Sequence, residues 1–201
     1  LALAQPAPSP EQKRAEFLKE AASNHSQRVD ALKKMDPAQL AAALKQESQK
    51  GIASFNSFAY KEAVQRGSKF AAPLGNSLKN KDRSSLLGLL ALRAIGPDQY
   101  ANLSSEFRTG VLVDALTNAK MYNAWGLPNV QWEEPAKALI EEKDAARPAL
   151  LELLKKPDMH EAPVLGTGAQ ATYNNYHYRV SDYALALLNE INRQPKTLPK
   201  N

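Results

Sequence analysis

The chain has no cysteine, so a disulfide framework, thiolate metal ligands and a cysteine nucleophile are excluded together. Histidine is nearly as scarce. His25, His160 and His177 lie in separate segments, and His160, Glu161 runs into Ala162, Pro163, so the two-histidine helix of zinc proteases is missing. No metal site and no cofactor are expected. No apolar run approaches the roughly 18 residues that span a bilayer, so no membrane span is expected either. The nucleophile-elbow pattern G-x-S-x-G does not occur. Gly166, Thr167, Gly168, Ala169 has neither a preceding strand nor the lysine of a phosphate loop, and reads as a loop. Glu133, Glu134 and Glu141, Glu142 are adjacent acids, but neighbours on a helix diverge by about 100° and do not converge on one bond. The first pair suits a helix start, where negative charge meets the macrodipole. No catalytic residue is identified, and the chain is expected not to be an enzyme.

What is present is ordinary globular material. In 201 residues, 43% are hydrophobic and 23% charged, enough for a sizeable core. The net charge of +5 is uneven, with 15 basic and 9 acidic residues up to position 100, against 11 and 12 beyond it. Lys33, Lys34, Lys45, Lys50, Lys61, Arg66, Lys69, Lys79, Lys81, Arg83 and Arg93 could line one ridge and meet a phosphate backbone. Glu47, Glu62 and Asp82 interrupt that row, so solvated helix faces account for it and no nucleic-acid partner is expected.

Both ends differ from the body. Leu1, Ala2, Leu3, Ala4 before Gln5 reads as the tail of an apolar signal segment with a small-x-small cleavage pattern, the alternative being an arbitrary chain start. On the first reading the protein is bacterial and periplasmic or secreted. Pro6, Pro8 and Pro10 make residues 1–10 a signal remnant and extended spacer, and 194–201 form a similar tail. Residues 11–193 are expected to be a single helical-repeat domain.

Within that body the apolar residues recur at helical spacing, with almost no period-2 alternation and no convincing strand. Pro10, Glu11 opens a charged helix to about Ser23 with Phe17 and Leu18 as its apolar side, and Val29, Leu32 and Met35 mark a short successor. Asp36, Pro37 is an N-cap followed by proline at the first helical position, with Leu40, Ala43 and Leu44 as the buried stripe. Another helix begins near Ser54 and stops at Gly67. Residues 67–82 can be laid on 143–158 at an offset of 76, where Leu74, Leu78, Lys79 and Asp82 meet identical residues and each copy has a proline, Pro73 or Pro148, in the first part of its helix. A helix from Arg83 to Ile95 follows, closed by Gly96, Pro97.

Helix pairs joined by a proline or aspartate turn, with Asp82, Arg83 and then Ala91, Leu92, Arg93, Ala94, Ile95, Gly96 in the second helix, resemble HEAT or armadillo repeats. The resemblance implies an all-α, right-handed alpha-alpha superhelix, a HEAT-like solenoid of about four helix pairs: 37–66, 68–95, 104–143 and 145–192. An irregular helical bundle is the alternative.

Two insertions interrupt the later units, and insertions in repeat proteins map to loops on one face. One, 122–132, holds Trp125 and Trp132. The other, within 160–178, holds Tyr173, Tyr176, His177 and Tyr178, and leads to Arg179 and Asp182, which can pair at i, i+3. The tyrosines either seal the end of the stack or contact a ligand. These eight residues are the candidate binding residues. The expected function is an exported, monomeric, non-enzymatic scaffold for a protein or peptide partner. The rival is a small-molecule binder or enzyme with its pocket between the two insertions, and weak nucleic-acid binding through the basic N-terminal units is a third reading.

Overall fold

A proline within the first turn, an acceptor side chain before it and a stripe of leucine or alanine recur along the chain, and each such run is a helix. The computed structural model describes residues 9–119, 125, 133–155, 162–164 and 176–193. Its helices are α1 (Pro10–Lys33), α2 (Pro37–Gln49), α3 (Phe58–Arg66), α4 (Ala71–Ser77), α5 (Leu86–Ile95), α6 (Pro97–Asn102), α7 (Ser105–Thr117), α8 (Glu134–Glu141), α9 (Arg147–Leu154) and α10 (Val180–Arg193). The fold is all-helical apart from a short ribbon in which β1 (Ala162–Val164) pairs antiparallel with β2 (Tyr176–Tyr178), Pro163 opposite His177. Three residues per strand are too few for alternation to register, which is why the sequence pattern does not reveal the ribbon. Among the described residues no helix is long and apolar enough to cross a membrane.

Local signals account for most boundaries. Asp36 accepts from the Gln39 amide at 2.8 Å while the Gln39 side chain accepts from the Asp36 amide at 2.9 Å, a complete capping box ahead of Pro37. Ser57 and Ser104 cap α3 and α7 in the simpler way. Three expectations need correction. The predicted break near Ser23 does not occur, because nothing in that stretch removes a backbone donor, and α1 runs unbroken from Pro10 to Lys33. The helix expected from Ser54 begins at Phe58, after a single 3-10 turn over Ser54–Asn56. Gly96, Pro97 ends α5 but also starts α6, with the proline at its first position.

The two stretches related by the offset of 76 fold alike. Each starts with a residue at positive φ, Gly67 at 63° and Lys143 at 50°, and continues through a 3-10 turn into a short helix, α4 or α9. Leu74 and Leu150, equivalent by that offset, are both buried. Lysine at Lys143 occupies a region that costs a side-chain-bearing residue about 1 kcal/mol, where the first copy has glycine.

Two apolar cores share one helix. α5 is buried almost all round: Leu87, Ala91, Leu92 and Ile95 join a core with Leu40, Leu44, Ala63, Phe70 and Leu74, while Leu89 and Leu90 join another with Leu112, Leu116, Leu139, Leu150, Tyr183 and Leu187. A helix without a polar face has to be central. α5 packs on α2, α3 and α4 on one side and on α7 and α8 on the other, α8 and α9 pack on α10, and α1 packs on α3. A Cβ at Gly96 would lie 2.5 Å from the Ala71 Cβ, so glycine lets the end of α5 meet the start of α4.

Candidate functional site

The eight candidate residues do not share one environment. Trp125, expected on an exposed insertion, is 1% exposed and belongs to the second core, beside a cavity of about 40 Å³ lined also by Ala53, Leu90, Ala115 and Pro135. An indole is large and apolar enough for core burial to outweigh loop placement. Tyr176, His177 and Tyr178 supply the backbone of β2. Arg179 and Asp182 pair as the spacing predicts, at 3.1 Å, and Asp182 also accepts from the Arg179 backbone amide at 2.7 Å, which closes the N-terminus of α10. Trp132 and Tyr173 lie outside the described residues.

Among the described residues a groove lies elsewhere. It measures about 290 Å³ and runs between α2 and α4 and the loop that follows α4. Ala38, Ala41, Ala42 and Lys45 form one wall, Leu44, Leu74, Leu78 and Gly88 the floor, and Ser77, Lys79 and Asn80 the other wall. The alanines keep this side of α2 flat, so that another backbone can approach closely. Leu40 and Leu44 hold its opposite stripe in the core. Polar groups around the floor are already engaged, since Ser77 donates to the Leu74 carbonyl at 2.7 Å, Ser85 to the Asn80 carbonyl at 2.6 Å, and the Asn80 amide to Ser84 at 3.2 Å. Among the described residues neither Lys45 nor Lys79 makes an ion pair within 4 Å, although the Lys45 charge helps to lower the Asp82 carboxyl, so two cations stand over an aliphatic floor. The signal for this groove was present in the sequence: Ala38, Ala41, Ala42 and Lys45 fall at i, i+3, i+4 and i+7, a second stripe beside the leucines. It escapes notice because alanine on a helix is also the least informative residue.

The acidic pairs serve structure. Glu141 takes Arg93 of α5 through two bonds, at 2.9 and 2.5 Å, and Glu134 takes the same guanidinium at 2.7 Å. Glu142, one residue on, turns instead to Arg108 of α7, at 2.6 and 3.0 Å, with Ser105 donating at 2.5 Å. Adjacent carboxylates thus diverge onto two arginines, as helical geometry requires. Burial and the Glu142 charge push the Tyr100 phenol up, which keeps it a proton donor to that carboxylate. Burial also pushes the Glu134 carboxyl up, but Lys137 and Arg93 outweigh it and hold the group below its ordinary 4.5. Asp182 behaves likewise, with Arg179 overcoming burial and holding it below 3.8.

These lowered carboxyls fix the sign of the pH dependence. Their contribution to stability is complete above the unfolded values and is lost as pH falls through the lower folded ones. The melting temperature is therefore expected to hold from neutrality to about pH 5 and to fall between there and about pH 3. Glu134→Gln should flatten that fall, which differential scanning calorimetry across the pH series measures.

Compared with protein-family models, curated proteins and solved structures, the chain finds no match.

Proposed function

We propose that this protein is a non-enzymatic scaffold whose α2/α4 groove receives a helical segment of a partner protein. The observation that carries the reading is the pairing of a flat alanine wall with an aliphatic floor, rimmed by Lys45 and Lys79. An amphipathic helix laid into such a groove buries its apolar face and meets the lysines with its own carboxylates. The sequence of contacts supports a HEAT-like stack as the frame. α3 neighbours α5, α5 neighbours α8 and α8 neighbours α10 in one row, while in the other α2 neighbours α4 and α7 neighbours α9 without comparable packing between α4 and α7, and α2 and α7 both pack across the rows on α5. Nearest-neighbour packing of this kind is what helix pairs in a right-handed superhelix produce, and it leaves grooves between successive units. A nucleic-acid strand is a poorer occupant, because two lysines over aliphatic side chains offer neither a row of phosphate contacts nor an aromatic stacking platform.

Photo-crosslinking in the native cells tests the proposal. A benzoylphenylalanine at Ala42, on the groove wall, is expected to trap a partner protein, and the same group at Glu152, exposed on α9, is not. Lys45→Glu combined with Lys79→Glu should abolish the Ala42 adduct. Equal labelling from both positions, or an adduct indifferent to charge reversal, overturns the reading.

A further inference from the structure

α1 is far longer than what it packs on. Its 24 residues extend about 36 Å, whereas α3, the helix beneath it, has nine and extends about 14 Å. Only the last turns of α1 are held. Arg28 pairs with the buried Glu47 at 2.6 Å, Arg66 donates to the Leu32 carbonyl at 2.8 Å, and Leu32 is buried. Every residue from Ser9 to Arg28 is exposed, including Phe17 at 67% and Leu18 at 57%.

The exposed part nevertheless carries a seam. Ala15, Leu18, Ala22, His25, Val29 and Leu32 follow one another at alternating steps of three and four, the a and d spacing of a coiled coil. α3 takes up the C-terminal end of that seam, and the same line continues beyond it with no cover among the described residues. Where α1 leaves α3, a cavity of about 280 Å³ opens between His25, Val29 and Leu32 on one side and Phe58 and Lys61 on the other.

The flanking charges choose between occupants. In this heptad frame the e and g positions hold Gln12, Arg14, Lys19, Ala21, Ser26, Arg28 and Lys33, with no acid. Arg28 and Lys33, at the held end, pair with Glu47 and Asp30, so Arg14 and Lys19 are the cations that flank the overhanging half. Glu16 and Glu20 lie on the far face, and Glu11 takes the d position ahead of Ala15. A second copy of α1 would set basic flank against basic flank, which is repulsive. Lys61 adds a cation at the cavity rim, its ammonium 5.9 Å from the centre of the Phe58 ring, while Glu62, which also lines the cavity, is paired with Arg66 at 2.8 Å.

We infer that the overhanging half of α1 is one strand of an intermolecular helix pair whose other strand is a partner helix with acidic flanks, anchored by an apolar side chain in the His25/Phe58/Lys61 cavity. This surface shares no lining residue with the α2/α4 groove, so either one stands if the other fails.

The test uses the full chain and a synthetic peptide of about three heptads with leucine at a and d and glutamate at e and g, beside a twin with lysine at e and g. By fluorescence anisotropy, the glutamate peptide is expected to bind saturably, at least about tenfold more tightly than the lysine twin, and more weakly as salt is raised. Leu18→Asp, at an exposed position, should lower that affinity at least about tenfold while leaving the melting temperature unchanged. Lys19→Glu with Arg14→Glu should narrow or reverse the preference between the peptides. Failure of the glutamate peptide to saturate, equal binding of both peptides, or indifference to Leu18→Asp overturns the inference. A dimer in sedimentation velocity that Leu18→Asp dissolves would assign the seam to a second copy. Binding of anionic phosphatidylglycerol vesicles in place of the peptide would assign it to a lipid surface, and either result overturns it too.

Discussion

Arg108→Ala is expected to remove about 3–5 kcal/mol of unfolding free energy, enough to bring a protein of ordinary stability close to its threshold. The arginine does two jobs. Its Nε and Nη2 hold both oxygens of Glu142, a carboxylate only 8% exposed, and its Nη1 collects the carbonyls of Tyr100 and Ala101 at 3.2 and 3.4 Å, together with that of Leu103, where α6 ends. Removing the side chain strands a buried negative charge and uncaps those carbonyls. The charge would then rest on Ser105 and on Tyr100, whose hydroxyl is 3.3 Å away. Urea unfolding measures the loss. The double variant Arg108→Ala, Glu142→Ala should recover part of it, since the stranded charge goes with its partner. A single variant as stable as the parent would mean that the pair contributes nothing net.

Trp125→Ala is expected to cost a similar amount, about 3–5 kcal/mol, by the different route of cavity formation. The indole is 1% exposed in the second core, and the adjoining space of about 40 Å³ is too small for the neighbours to have relaxed away from it. Loss of the ring would leave Leu90, Ala115 and Pro135 facing a void. The urea midpoint should move while crosslinking from Ala42 in the groove persists at temperatures where the variant remains folded. Unchanged stability with lost crosslinking would make Trp125 a partner contact instead of a core residue.

Much of the helical plan was legible because it is written locally. Asp36 and Pro37 specify the start of α2 within four residues, the prolines at 73 and 148 lie in the first turns of α4 and α9, and the period of leucine and alanine picks out the buried faces. The offset of 76 was also readable, and it carries a conformational detail, a positive φ at both Gly67 and Lys143, that composition alone does not disclose. The candidate site was less legible. Aromatic insertions attract notice in a chain with only 7% aromatic residues, yet a tryptophan is drawn inward by the same area that makes it conspicuous. The α2/α4 groove is built from alanines and two lysines, residue types whose default is a solvated helix face.

By itself, then, the sequence determined that the chain is helical, where most of its helices begin, which of their faces are apolar, and that cysteine chemistry has no part in it. Tertiary structure decided which way Trp125 faces, which arginine each of Glu141 and Glu142 receives, and how much of α1 is left without cover. The reason is range. Caps and periodicity act over three or four residues, whereas Arg108 meets Glu142 across 34 positions and Arg93 meets Glu141 across 48, and only the packing of α5, α7 and α8 brings such partners together.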